Sequence, residues 1–151
     1  EINKENVNKI VFSNLEGKII DFFSLDVDGN DYWILKSLNL ERINVVCCEY
    51  NHWLGNNIRK TIPYNSENLY KNDGYFGASL LAINDLMESK RFNLIAVDSA
   101  GTNAFFVKNK FASHFEILSP IKSWRSVGRH ESESHAKKIR QNIKNLEFIE
   151  L

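Results

Sequence analysis

Residues 25–32 read Leu25-Asp26-Val27-Asp28-Gly29-Asn30-Asp31-Tyr32, with four oxygen-bearing side chains inside six positions. They follow the apolar run Ile19-Ile20-Asp21-Phe22-Phe23-Ser24. An acidic cluster at the end of a strand suits a calcium loop, a phosphatase nucleophile, a sugar-nucleotide metal motif or the rim of a cofactor-binding sheet. The calcium loop is the easiest to test, because an EF-hand needs glycine at its sixth position and glutamate at its twelfth. Counted from Asp26, those positions hold Asp31 and Ser37, and the segment before them is a strand rather than a helix.

Working outward, Asn3 to Leu15 has a helical stripe of Val7, Ile10 and Val11, a possible cap at Asn3 and a stop at Gly17. Ile19 to Leu25 reads as a strand and Asp31 to Leu38 as a short helix. Ile43 to Tyr50, "INVVCCEY", is an almost unbroken apolar run suited to a buried parallel strand. Residues 51–74 lack periodicity and predict a long loop, a place where function concentrates. Phe76 to Arg91 repeats apolar residues at helical spacing. Asn93 to Val97 and Asn103 to Val107 are strands joined by a turn too short for a crossover, so one of them must run against the others. Ser134 to Leu146 closes the chain as an amphipathic helix with a solvated basic face. Strand and helix alternate, which predicts an α/β layer with a largely parallel sheet and helices on its faces.

The chain has 151 residues, enough for one core, and 19 basic residues balance 19 acidic ones. No net field points to nucleic acid, and no apolar run approaches the roughly 20 residues of a membrane span. The two cysteines, Cys47 and Cys48, are neighbours on a strand and read as core filling. With no Asn-x-Ser/Thr sequon, they suggest a reducing, cytoplasmic setting. The single methionine is Met87 and the chain starts at Glu1, which leaves room for a missing N-terminal half.

Two families share part of the acidic pattern. "Strand, then Asp-x-Asp-Gly" resembles the opening of haloacid-dehalogenase-type hydrolases, but Asn30 and Asp31 replace the residues expected next and no later acidic pair follows a strand. A glycosyltransferase Asp-x-Asp would sit similarly, without a recognisable nucleotide-binding half. A third resemblance uses more of the chain. "IDFFSLDVDGNDYWILKSL", "INVVCCEYN" and "YFGASLLAINDLMESKRFNLIAVDSAGTNAFFVK" occur in that order. Together they resemble the C-terminal half of FkbM-like methyltransferases dependent on S-adenosylmethionine. The resemblance covers about Glu5 to Lys110 and divides the chain into a methyltransferase-like portion, 1–110, and a helical tail, 111–151.

That resemblance implies a Rossmann-like half-sheet, mostly parallel, whose last strand lies antiparallel between its neighbours. It implies an O or N acceptor, a small molecule or glycan, bound at the carboxyl ends of the strands. Asp26, Asp28 and Glu49 would be catalytic there, and Asn30, Asn51, His52, Trp53 and Tyr75 would bind the acceptor. No metal site is expected under this reading. The glycine-rich loop that would hold S-adenosylmethionine is missing, since none of the seven glycines forms Gly-x-Gly. The chain alone is therefore expected to bind the cofactor weakly and to be inactive. With the four strands lettered A to D along the chain, the first is expected at the edge of the order A-B-D-C, open to a missing half or to self-association. Two alternatives stand beside this: a non-catalytic binding or assembly module, and a magnesium-dependent phosphate or sugar-nucleotide enzyme using Asp26 and Asp28. Helix capping by Asp28, Asn30 or Asp31, and loop anchoring by Glu49 or Asn51, are the plain structural roles to weigh against function.

Overall fold

The apolar runs on either side of the acidic stretch are strands β1, Ile20–Leu25, and β2, Ile43–Glu49. In the computed structural model, which describes residues 2–67, 71, 73–127 and 131–151, they pair in parallel. Phe22 lies beside Val45 and Ser24 beside Cys47. The crossover between them is helix α2, Asp31–Ser37, while α1, Val7–Phe12, precedes β1. Ahead of α1, Asn3 and Asn6 exchange bonds, each backbone N–H donating to the other's side-chain oxygen at 2.8 and 2.9 Å.

After a two-residue strand β3, Lys60–Thr61, the chain enters α3, Leu80–Ser89, and then the hairpin of β4, Phe92–Val97, and β5, Asn103–Lys108. Sheet order is β1-β2-β5-β4, with β5 antiparallel to both neighbours and β1 at the edge. This is the order A-B-D-C that the resemblance implies, and the antiparallel hairpin is the one that turn length requires. The tight turn is held by Asp98, whose Oδ1 accepts from the backbone N–H groups of Gly101, Thr102 and Asn103. The fold is mixed α/β with a mixed four-stranded sheet. Only one of its three adjacent pairings is parallel, because β5 inserts against the grain.

Alternation along the strands divides the sheet into two unlike faces. One carries Leu25, Val46, Cys48, Leu94, Ala104 and Phe106, all buried in one cluster with Val7 of α1, Ile34 and Leu35 of α2, and Ile83 and Met87 of α3. The other carries Phe22, Ser24, Val45, Cys47 and Phe105, and Phe22 is 54% exposed. Helices α1 to α3 thus share a single face, a departure from the expectation of helices on both. A 3-10 turn at Asn109–His114 flanks the second face, where Phe111 and Phe115 border Val45 and Val107.

Three boundaries also differ from expectation. Helix α3 starts at Leu80 rather than Phe76, because Gly77 has φ +53° and Ala78 bridges to Thr61. Ser79 then caps the helix by accepting from the N–H of Ala82. The long loop contains a 3-10 turn, His52–Leu54, as well as β3. The tail holds α4, Pro120–Ser123, α5, Glu133–Ile143, and β6, Ile149–Glu150, which pairs antiparallel with β3. Ala136, Ile139 and Ile143 are buried, so the tail packs back onto the body. No helix among the described residues is long and apolar enough to cross a membrane.

Candidate functional site

At the carboxyl ends of β1 and β2 the chain brings together Asp26, Asp28 and Glu49. One carboxylate oxygen from each lies within 4.8 Å of the other two. Strand alternation puts Glu49 on the side of Cys47 and Phe105, the less covered face, and its register partner across the sheet is Asn103. The two aspartates reach the same point because the chain turns sharply after β1. Asp28 takes φ +52°, a left-handed conformation that aspartate tolerates better than most residues, and Gly29 follows at +152°.

What holds this turn is Asp31. Its side chain is fully buried, and it folds back so that Oδ1 accepts from the N–H of Val27 at 3.1 Å and Oδ2 from that of Gly29 at 3.0 Å. Burial nevertheless raises its pKa to about 6; those two amides oppose the shift and Asp26 adds to it. Sequence reasoning treated Asp31 only as a possible helix cap. The signal was its place two residues after Gly29, from which a short acid can bond backward to its own turn.

Glu49 is the most perturbed carboxyl of the cluster. Burial, then the charges of Asp31, Asp26 and Asp28, push its pKa up to about 8. Its Oε2 is buried and has no hydrogen-bond partner among the described residues. A group with these properties holds its proton at neutral pH and releases it to a cation, or to a base-demanding reaction, at modest cost. Capping does not account for the cluster: neither Asp28 nor Asn30 bonds the first amides of α2.

The remaining candidates fall elsewhere. Asn30 donates to the carbonyl of Asn65 at 2.7 Å and ties the turn to the following loop. Asn51 is fully buried and wholly occupied by the backbone, donating to Gly74 and Phe76 and accepting from Trp53. Loop anchoring is its task. His52 and Trp53 face the tail: His52 Nε2 lies 3.0 Å from Glu131 Oε2, and Trp53 Nε1 donates to Glu131 Oε1 at 2.7 Å. Burial lowers the His52 pKa despite that carboxylate, so the ring is neutral and its Nε2–H donates. Tyr75 donates its hydroxyl to the carbonyl of Glu147, 2.5 Å away. None of these five side chains is bonded to the acidic cluster.

The described residues do not fit S-adenosylmethionine. Its carboxylate and polar groups would need free backbone N–H donors, which the resemblance expects at glycines after a strand. Gly29, after β1, gives its N–H to Asp31; Gly101, after β4, gives its own to Asp98. Gly77 donates to the carbonyl of Gly29. At Gly74 a Cβ would lie 2.3 Å from Ile139, so its close approach serves the tail rather than a ligand.

No protein-family model matches the chain, and neither a curated protein nor a solved structure is detectably similar to it.

Proposed function

We propose that the cluster of Asp26, Asp28 and Glu49 is the acceptor site of a methyl-transferring enzyme, with the cofactor held outside the described residues. One observation carries the reading: three carboxylates meet at the carboxyl ends of parallel strands, and Glu49 keeps a buried oxygen without a partner among the described residues. Sheets of this kind bind ligands at that position, and the ordered motifs of the sequence point to the same chemistry. Glu49 takes the proton of an acceptor hydroxyl or amine, while Asp26 and Asp28 accept its other hydrogen bonds and fix its orientation. Because Glu49 titrates near 8, the base form grows as pH rises through that value.

The test is methyl transfer from labelled S-adenosylmethionine by the full polypeptide that carries this chain, set against the Glu49→Gln variant. Loss of roughly a hundredfold in rate is expected for a general base. Unchanged turnover in Glu49→Gln, or a full polypeptide that does not bind S-adenosylmethionine in calorimetry, refutes the proposal.

A second reading has its own observation. Two ligands opposite each other on an ion at about 2.4 Å lie about 4.8 Å apart, and one oxygen from each of the three carboxylates lies within that limit of the other two. We infer that they could instead hold one divalent cation for phosphate or sugar-nucleotide chemistry. Manganese titration followed by electron paramagnetic resonance separates the two: saturable binding lost in Asp26→Asn favours the metal, and its absence removes this reading.

A further inference from the structure

Away from the carboxylates, the 3-10 turn at His52–Leu54, β3, the end of α4 and the tail line an open pocket of about 420 Å3. That volume lies within the usual range for small-ligand sites, about 300–1,000 Å3. Three aromatic rings line it, Trp53, Trp124 and Phe148. Both indoles are fixed through their only donor: Trp53 Nε1 bonds Glu131 at 2.7 Å and Trp124 Nε1 bonds the carbonyl of His52 at 2.9 Å. With those donors spent, the indoles can offer a ligand only ring surface.

The charged residues of the lining are all cations, Lys60, Arg140 and Lys144, and no carboxylate is among them. Lys144 is exposed and forms no ion pair among the described residues. Lys60 pairs with Glu150 at 3.1 Å, but that glutamate side chain is 80% exposed. Such a surface pair contributes little and yields readily to a better-placed anion. Arg140 donates to the carbonyl of Ser126, and its guanidinium carbon stands 5.9 Å from the Trp124 ring centroid.

This lining discriminates among ligand classes. A metal ion finds no acidic ligand. A wholly apolar molecule would strip water from cations without replacing it. A nucleic-acid strand needs a longer basic track than one small cavity offers. What remains is an oxyanion mounted on a ring, with the ring against the indoles and the charge towards Lys60, Arg140 and Lys144. We propose that this cavity binds a small ring-bearing oxyanion, an aryl acid or aryl phosphate or a sugar phosphate. It is a site separate from the carboxylate cluster, which contributes none of its lining.

Tryptophan fluorescence tests it. Trp33 is outside the lining and donates to Ile62, so a change on titration comes from Trp53 and Trp124. The probes are phenyl phosphate and glucose 1-phosphate, which distinguish the two ring types, with phenol and inorganic phosphate as the separate halves. Saturable binding of at least one ring-bearing phosphate is expected, about tenfold tighter than either half. Lys144→Glu should weaken it by at least about tenfold and Lys144→Gln by less, with unchanged circular dichroism, while Glu49→Gln leaves it as it was. The proposal is overturned if neither ring-bearing phosphate saturates, if phenol binds as tightly as phenyl phosphate, or if Lys144→Glu binds like the parent.

Discussion

Substituting Glu49 by glutamine should change how the stability of this protein depends on pH, and the sign follows from burial. The carboxyl titrates near 4.5 in an unfolded chain and about 8 in the fold. Between those values the native state keeps a proton that the unfolded state has lost, so stability must fall as pH rises. The contribution is fully present below about pH 4.5 and is lost as pH climbs through about 8. At 1.36 kcal/mol per unit the shift corresponds to about 5 kcal/mol, and discounting for the partly exposed side chain leaves on the order of 3 kcal/mol. Asp31, whose pKa is about 6, adds a fall of the same sign at lower pH. It is present in both proteins, so subtracting one curve from the other isolates Glu49. Urea unfolding at about pH 5, 7 and 9 is the assay. Relative to wild type, Glu49→Gln should gain from near zero at the acid end to about 2–3 kcal/mol at the alkaline end. Parallel curves would refute the argument that Glu49 is buried among like charges. Manganese adds a control: if the three carboxylates hold a cation, it should flatten the wild-type curve and leave the variant untouched.

Two further outcomes follow from particular contacts. Asn51→Ala removes bonds to Gly74, Phe76 and Trp53 from a fully buried site; leaving those backbone groups unpaired should cost about 3 kcal/mol by chemical denaturation, and a cost below about 1 would show that water replaces the amide. The open edge of β1 and the exposed Phe22 beside it should make the isolated chain self-associate with rising concentration in sedimentation, and Phe22→Lys should suppress this. A chain that is monomeric at every concentration would sink the edge argument.

The parts of the fold legible in the sequence are those set by local, periodic signals. β1, β2 and the hairpin are visible as apolar runs, and the length of the 98–102 turn alone makes β4 and β5 antiparallel to each other. Convergence of Asp26, Asp28 and Glu49 was legible for the same reason: parallel neighbours carry their strand ends together, whatever the sequence between. What escaped notice depends on contacts far apart in the chain. β3 and β6 are two residues each and exist only because Lys60 finds Glu150 and Thr61 finds Ile149. Glu131 has no local pattern to mark it, yet it bonds both His52 and Trp53. His52, just past the strand that ends in Glu49, and Trp53, in the long loop after it, both suit acceptor contacts by sequence position alone. A single residue after a strand can turn either way, and here the apolar stripe of α5 drew the loop towards the tail.

The carboxylates and the thinly covered sheet face belong to one surface, and that has a chemical consequence. Glu49 shares its strand side with Cys47, and Cys47 is flanked in register by Ser24 on one side and Phe105 on the other. Phe22, the most exposed aromatic of that face, is two residues from Ser24, and its ring centroid lies 6.5 Å from that of Phe105. Any layer laid over Phe22 and Phe105 therefore reaches towards the strand ends and removes water from Glu49. Desolvation is already the largest cause of its raised pKa, so covering the face alone would raise it further and keep the proton on. A layer that instead brings a cation, or a hydrogen-bond donor for the unpartnered Oε2, would lower it and free the base. Whatever covers this face thus sets the protonation of Glu49, whose buried Oε2 has no hydrogen-bond partner among the described residues.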